Sequence, residues 1–155
     1  MTHVRHAKIQ DVGALASNLR DADRREIEAF SSQPPLVEIL RPFFSPGEVY
    51  AIETDQVIAL FGVGPSQQDQ SVGVPWLLGT EAFPKCCLRD LSMQGPYWLK
   101  YLMRNYQALE NHVYAANDVH VRWIKRLGFR VVGTSYLGHR RERFLRFRLN
   151  QRELQ

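Results

Sequence analysis

The chain has 155 residues, a formal net charge of +4 and 45% hydrophobic residues, so one soluble globular domain over residues 1–155 is expected. It contains no run of about 18 apolar residues, which argues against a transmembrane helix. Its first residues lack the apolar segment of a signal peptide. The two cysteines, Cys86 and Cys87, are adjacent, which argues against a disulfide framework and a zinc site.

The first third of the chain predicts a strand followed by helices. Residues 4–9 form a short opening strand, and Asp11 is placed to cap a helix whose apolar residues recur at helical spacing. The charged stretch 21–28 continues or restarts that helix. Pro34-Pro35 then ends it, before a short second helix at 36–44.

The middle of the chain predicts a hairpin, a strand and a long helix. Residues 49–53 and 56–63 are typical of a β-hairpin, and residues 71–79 form a further strand. Pro75 lies inside that strand, which predicts a bulge or a sheet edge at this point. Residues 89–111 predict a helix with a broad apolar face.

The stretch 113–131 carries the clearest local signals. A short strand at 113–115 leads to Asn117-Asp118, which are favoured N-cap residues. In the helix that follows, the spacing places one apolar stripe on a single face. Its members are His120, Trp123, Ile124 and Leu127. Gly128 suits the left-handed position after the helix.

Strands at 131–136 and 143–149 complete the order, which predicts an α+β fold. We expect a mixed, mostly antiparallel sheet of six or seven strands flanked by about four helices. This order resembles the GNAT fold of acyl-CoA-dependent N-acetyltransferases. Asn117, Gly128 and Phe129 match the family's pattern of a strand ending near asparagine, then a helix, then Gly-Phe.

The same comparison shows two departures from the enzymes of that family. They hold the cofactor's pyrophosphate with a glycine-rich loop after the fourth strand, where backbone N–H groups meet phosphate. Here residues 78–87 occupy that place with one glycine and a proline. Ile124 stands where the family commonly has a tyrosine as general acid, and isoleucine cannot transfer a proton.

With His120, Arg122 and Trp123, the stretch resembles a narrower group, the GNAT-like proteins of short-tailed bacteriophages and prophages, which includes the internal virion protein of podoviruses. This resemblance implies a virion-associated structural protein without efficient acetyl transfer. Its place would be the portal, the head–tail junction or the internal core, its partner a portal or adaptor subunit, and its site of synthesis the host cytoplasm. The alternative is an acetyl-CoA-dependent N-acetyltransferase.

If the chain is an enzyme, the candidate catalytic residues are His120, Glu53 and Tyr136. His120 could act as a base near neutral pH, although a histidine in an apolar stripe is more often buried and hydrogen-bonded. Glu53 at a strand end and Tyr136 on a late strand have equally ordinary structural explanations. No cofactor is expected unless the chain is active. In that case acetyl-CoA would meet Leu78, Gly79, Thr80 and Asn117.

The charge is uneven along the chain. Residues 122–155 hold ten Lys/Arg and two Asp/Glu, a net charge of +8, with a basic region at 138–155. The predicted last strand there has one basic face, which could bind a partner protein. Another hypothesis is that the chain is an accessory protein that binds nucleic acid through this face. A solvated strand edge is the alternative. The residues are Arg140, Arg141, Arg143, Arg146 and Arg148.

Overall fold

Seven strands form one sheet in the computed structural model, which describes the backbone of residues 2–154 and the side chains of residues 2–83 and 94–154. The strands are β1 (His3–His6), β2 (Glu48–Glu53), β3 (Val57–Pro65), β4 (Val72–Gly79), β5 (Ala108–Tyr114), β6 (Arg130–Leu137) and β7 (Glu142–Asn150). Their spatial order is β1-β2-β3-β4-β5-β7-β6. Only β4 and β5 pair in parallel, and the predicted mixed, mostly antiparallel sheet is confirmed.

Helices cover both faces of the sheet. They are α1 (Gln10–Ser17), α2 (Asp21–Phe30), α3 (Pro35–Leu40), α4 (Ala82–Met103) and α5 (Asp118–Arg126), with short 3₁₀ turns at Arg41–Phe44 and Gln151–Glu153. One core cluster joins α1, α2 and α3 to the sheet, and a larger one joins α4 and α5 to the opposite face. No helix among the described residues is long and apolar enough to cross a membrane.

The parallel strands β4 and β5 separate soon after they meet. Their pairing is confined to Val72 with Ala108 and Gly73 with Leu109. Beyond that point the Pro75 carbonyl accepts a hydrogen bond from Asn111 Nδ2 at 2.7 Å, so a side chain takes the place of the backbone ladder. A proline fits here because it has no N–H to donate to a neighbouring strand. The predicted edge at Pro75 is therefore confirmed.

Three predicted helix boundaries are wrong: the start of α1, and both ends of α4, which begins at Ala82 and not at residue 89. Asp11 does not cap α1 from outside: it lies inside the first turn, where its carboxylate accepts from Lys8 N and pairs with Arg5. The helix predicted to reach residue 111 ends at Met103, and residues 108–114 form β5. Leu109 continues the helical spacing of apolar residues, yet it is buried in the sheet. Tertiary packing, and not local spacing, therefore determines the secondary structure at this position.

Helix α5 has the predicted position and ends as expected. Gly128 has φ of +103° and follows the C-cap residue Leu127. Its N–H donates to Lys125 O, while Phe129 N–H donates to Ile124 O, the two hydrogen bonds of a Schellman motif. Asn117 occupies the N-cap position, but its side chain makes no capping hydrogen bond. That side chain instead forms hydrogen bonds with Arg20, Asp23 and Glu26.

Candidate functional site

A cavity of about 670 Å³ occupies the gap between β4 and β5. On one face of the sheet it reaches Glu26 and Phe30 of α2, and on the other Leu99 of α4 and the apolar stripe of α5. The wall between these ends is mostly apolar. Its volume lies within the usual range for small-molecule sites, about 300–1,000 Å³.

A polar cluster ties together the ends of β4 and β5, and we call it the clasp: Arg20, Asp23, Asn117 and the backbone N–H of Gly79. Asp23 Oδ1 accepts from Arg20 Nη2 at 2.9 Å and from Asn117 Nδ2 at 3.1 Å. Asp23 Oδ2 accepts from Gly79 N at 2.9 Å, and Arg20 Nη2 also donates to Asn117 Oδ1 at 2.9 Å. All three side chains are buried. The clasp thus bridges the end at which the two strands have moved apart.

His120 lies against the clasp. Its side chain is buried, with Nε2 3.5 Å from Asp23 Oδ1. Burial lowers the pKa of His120, and the positive charge of Arg20 acts in the same direction, against the attraction of Asp23. His120 is therefore neutral near pH 7. It is buried, as is usual for a histidine in an apolar stripe, and it contacts a carboxylate.

Glu26 is a cavity residue that the sequence did not indicate. Its Oε1 accepts a hydrogen bond from Tyr114 N at 3.0 Å and another from Asn117 Nδ2 at 3.3 Å. Burial raises the pKa of Glu26 to about 7, and nearby Asp23 adds to the increase. The carboxyl group can thus gain or lose a proton near neutral pH.

Three of the four candidate cofactor residues are engaged within the chain. The Gly79 N–H and the Asn117 side chain belong to the clasp. Both the N–H and the hydroxyl of Thr80 donate to Ile58 O, at 2.8 and 3.1 Å. Leu78 lines the cavity. The side chains of Cys86 and Cys87 lie outside the described residues.

The other two catalytic candidates do not line the cavity. Glu53 is at the end of β2, where its carboxylate pairs with Arg5 at 3.2 Å. Tyr136 is 59% exposed on the edge strand β6. Their assignment stays a prediction, as does that of His120. The described residues contain no group of three or more potential metal ligands.

The predicted single basic face of the last strand is wrong. Successive residues of β7 point to opposite faces, so Arg143 lies on one face and Arg146 and Arg148 on the other. Arg148 pairs with Glu110 at 3.1 Å and Arg140 with Glu142 at 2.8 Å. The strand is also internal, between β5 and β6, so the alternative of a strand edge is wrong too.

No protein-family model and no curated protein matches this chain. Solved structures do match over nearly its whole length. An N-acetyltransferase from Staphylococcus aureus has a TM-score of 0.74 and 17% identity, covering 97% of this chain and 99% of that chain. The chain yncA from Salmonella typhimurium, solved with its cofactor acetyl-CoA, has a TM-score of 0.72 and 14% identity, covering 97% and 94%.

A GNAT-family acetyltransferase from Streptococcus pneumoniae has a TM-score of 0.66 and 12% identity, covering 97% of this chain and 99% of that chain. This chain has the GNAT fold. The expectation drawn from Asn117, Gly128 and Phe129 is thereby confirmed at the level of the fold. The narrower phage resemblance stays a prediction.

Proposed function

We propose that this GNAT-fold chain is a structural protein of a bacteriophage particle that does not carry out efficient acetyl transfer. The clasp is the observation that supports the lack of efficient acetyl transfer. The virion role is supported by the sequence resemblance of residues 117–128, which implies a portal or adaptor subunit as the partner.

The clasp does not fit the phosphate end of acetyl-CoA. In the family pattern, backbone N–H groups after the fourth strand hold the pyrophosphate. Here the Gly79 N–H already donates to the Asp23 carboxylate, and the Thr80 N–H donates to Ile58 O. A phosphate arriving at Gly79 would have to displace a buried carboxylate and would meet its negative charge.

The position of the expected acid gives a second, independent argument. Ile124 lies in the apolar stripe of α5 that lines the cavity. Its side chain is buried and has no proton to give. A leaving thiolate in this cavity would therefore lack the acid that the family commonly places there.

Calorimetric titration with acetyl-CoA tests the loss of transfer, and we expect no binding below millimolar concentrations. Dissociation in the micromolar range would overturn that part. Isolation of particles that carry a tagged copy tests the location. We expect the chain to cross-link to a portal or adaptor subunit, and a chain found only outside particles would contradict the virion role.

An acetyl-CoA-dependent N-acetyltransferase is the second candidate, favoured by the open gap between β4 and β5 and by Glu26 within it. With a pKa of about 7, Glu26 could accept the proton of an ammonium acceptor before attack. Under this candidate, Glu26→Gln reduces turnover of amines at least 100-fold. His120→Ala tests His120 as the base, and undiminished turnover in that variant would remove His120 from the mechanism. A wild-type chain that shows no acetyl transfer would remove the candidate.

A further inference from the structure

Two buried nitrogen atoms on α5 have no hydrogen-bond partner among the residues whose side chains are described. They are His120 Nε2 and Trp123 Nε1. Both residues line the cavity, and their rings lie one helical turn apart with centroids separated by 6.4 Å. Buried polar atoms are nearly always paired, so unpaired ones beside a cavity are available to a molecule that enters it.

The chemistry of the two groups restricts that ligand. An indole N–H only donates, so Trp123 needs a molecule that presents a hydrogen-bond acceptor. His120 is buried and neutral, and its Nε2 reaches no closer than 3.5 Å to Asp23 Oδ1. The other residues of α4 and α5 that line the cavity are mostly apolar, including Ile124, Leu127 and Leu99. The body of the ligand is therefore apolar.

A charged ligand suits this wall poorly. An anion would approach Asp23 and Glu26, of which only Asp23 is paired with a cation, Arg20. A cation brings only donors, which the Trp123 N–H cannot satisfy. Transfer of an unpaired charge into an apolar site is also costly. A neutral molecule with a carbonyl acceptor avoids all three penalties.

We propose that the cavity binds a small neutral molecule, an apolar chain bearing an amide or ester carbonyl, to which Trp123 Nε1 donates and beside which His120 lies. This goes beyond the proposed function and does not depend on it. The site takes such a molecule whether or not the chain binds acetyl-CoA.

Three probes with the same chain length separate the head groups: octanamide is neutral, octanoate is an anion and octylamine is a cation. In calorimetric titrations of the full chain we expect octanamide to bind at least about tenfold more tightly than either of the others. Absence of octanamide binding at millimolar concentrations, or equal binding of all three, would overturn the proposal. Tighter binding of octylamine would also overturn it and would favour Glu26 as the recognition group.

The Trp123→Phe variant tests the hydrogen bond itself. Loss of one hydrogen bond of about 1 kcal/mol lowers octanamide affinity about fivefold. The Trp98→Phe variant is the matched control, because Trp98 also lines the cavity but its nitrogen is not among the buried unpaired atoms. It should change the affinity less than Trp123→Phe does. An unchanged affinity in Trp123→Phe would remove that residue from the site.

Discussion

The two ends of α5 use their polar groups in opposite ways. At its start, both polar atoms of the Asn117 side chain are hydrogen-bonded. Its Nδ2 donates to Asp23 and Glu26, and its Oδ1 accepts from Arg20. Two turns later, Trp123 Nε1 is buried with no partner among the described residues. The first end holds the fold together, and the second faces an apolar cavity.

This difference shows that neighbouring polar groups around one cavity are paired at one place and unpaired at another. In this chain β4 and β5 part after Gly73 and Leu109, and a cavity occupies the gap. The strand ends beside it, however, are joined by the clasp through Gly79 and Asn117. The cavity and the clasp therefore lie side by side at the ends of these two strands.

Asp23→Ala is expected to have the largest effect on stability, because it removes the carboxylate at the centre of the clasp. Asp23 is fully buried and joins Arg20, Asn117 and the Gly79 N–H. Its removal leaves the Arg20 guanidinium buried without its counter-ion, which costs about 3–5 kcal/mol. Urea denaturation should show that loss.

Asp21→Asn is the control for this experiment. Asp21 is on the same helix and forms exposed ion pairs with Arg24 and Arg25. Exposed pairs contribute about 0–1 kcal/mol, so this variant should unfold near the wild-type urea concentration. Similar losses in the two variants would mean that the clasp contributes no more than a surface pair.

Glu26→Gln probes the cavity side of the clasp through pH. Burial raises the pKa of Glu26 from its ordinary 4.5 to about 7, so the folded chain holds a proton that the unfolded chain releases in this window. The contribution of Glu26 to stability therefore falls as pH rises from 4.5 to 7, by up to about 3 kcal/mol. Glu26→Gln should match the wild type near pH 4.5 and exceed its stability at pH 8.

The exposed Glu28 provides the comparison for that pH profile. Glu28→Gln removes a carboxyl from the same helix, where it forms a surface pair with Arg24. Its stability difference from the wild type should stay within about 0.5 kcal/mol at both pH values. A Glu26→Gln curve that runs parallel to the wild-type curve would show that Glu26 titrates normally.

Gly138→Ala tests the turn between β6 and β7, which closes over α2 beside the cavity. Gly138 has φ of +77°, and a Cβ there would lie 1.9 Å from Ala29 O. We expect a loss of about 2 kcal/mol or more in thermal unfolding, from backbone strain and the clash. Gly128→Ala is the matched control, since φ is +103° but nothing lies within 4 Å, and only the strain of about 1 kcal/mol applies. Equal losses would show that the turn can move away from α2.

Local signals in the sequence predicted much of the fold but little of the site. Asn117 and Gly128 bracket α5 because cap positions depend on a few neighbouring residues. The end of α4 was mispredicted because Tyr106 and Leu109 extend its apolar spacing into a strand. The resemblance supplied the fold where periodicity alone left strand order undetermined.

The clasp could not be predicted because its partners are far apart in the chain. Asp23 meets Gly79 across 56 residues, and Arg20 meets Asn117 across 97. Asn117 was expected as a helix cap or a cofactor contact, since either role needs only a local position. Asp23 and Glu26 lie in a charged stretch that is typical of a solvated helix face.

The smallest change in stability is expected for Trp123→Phe, and it tests whether the Trp123 nitrogen differs in role from Asn117. Trp123→Phe removes a buried N–H that has no hydrogen-bond partner among the described residues, so relief of that unpaired donor offsets the lost ring volume. We expect the free energy of unfolding to change by less than about 1 kcal/mol. Trp98→Phe should cost more, about 1–2 kcal/mol, because its indole packs against Tyr50, Phe61 and Tyr101 at centroid distances of 5.4–5.5 Å. If Trp123→Phe were the more destabilising of the two in urea denaturation, the Trp123 nitrogen would have a structural role like that of Asn117, and the two ends of α5 would not differ.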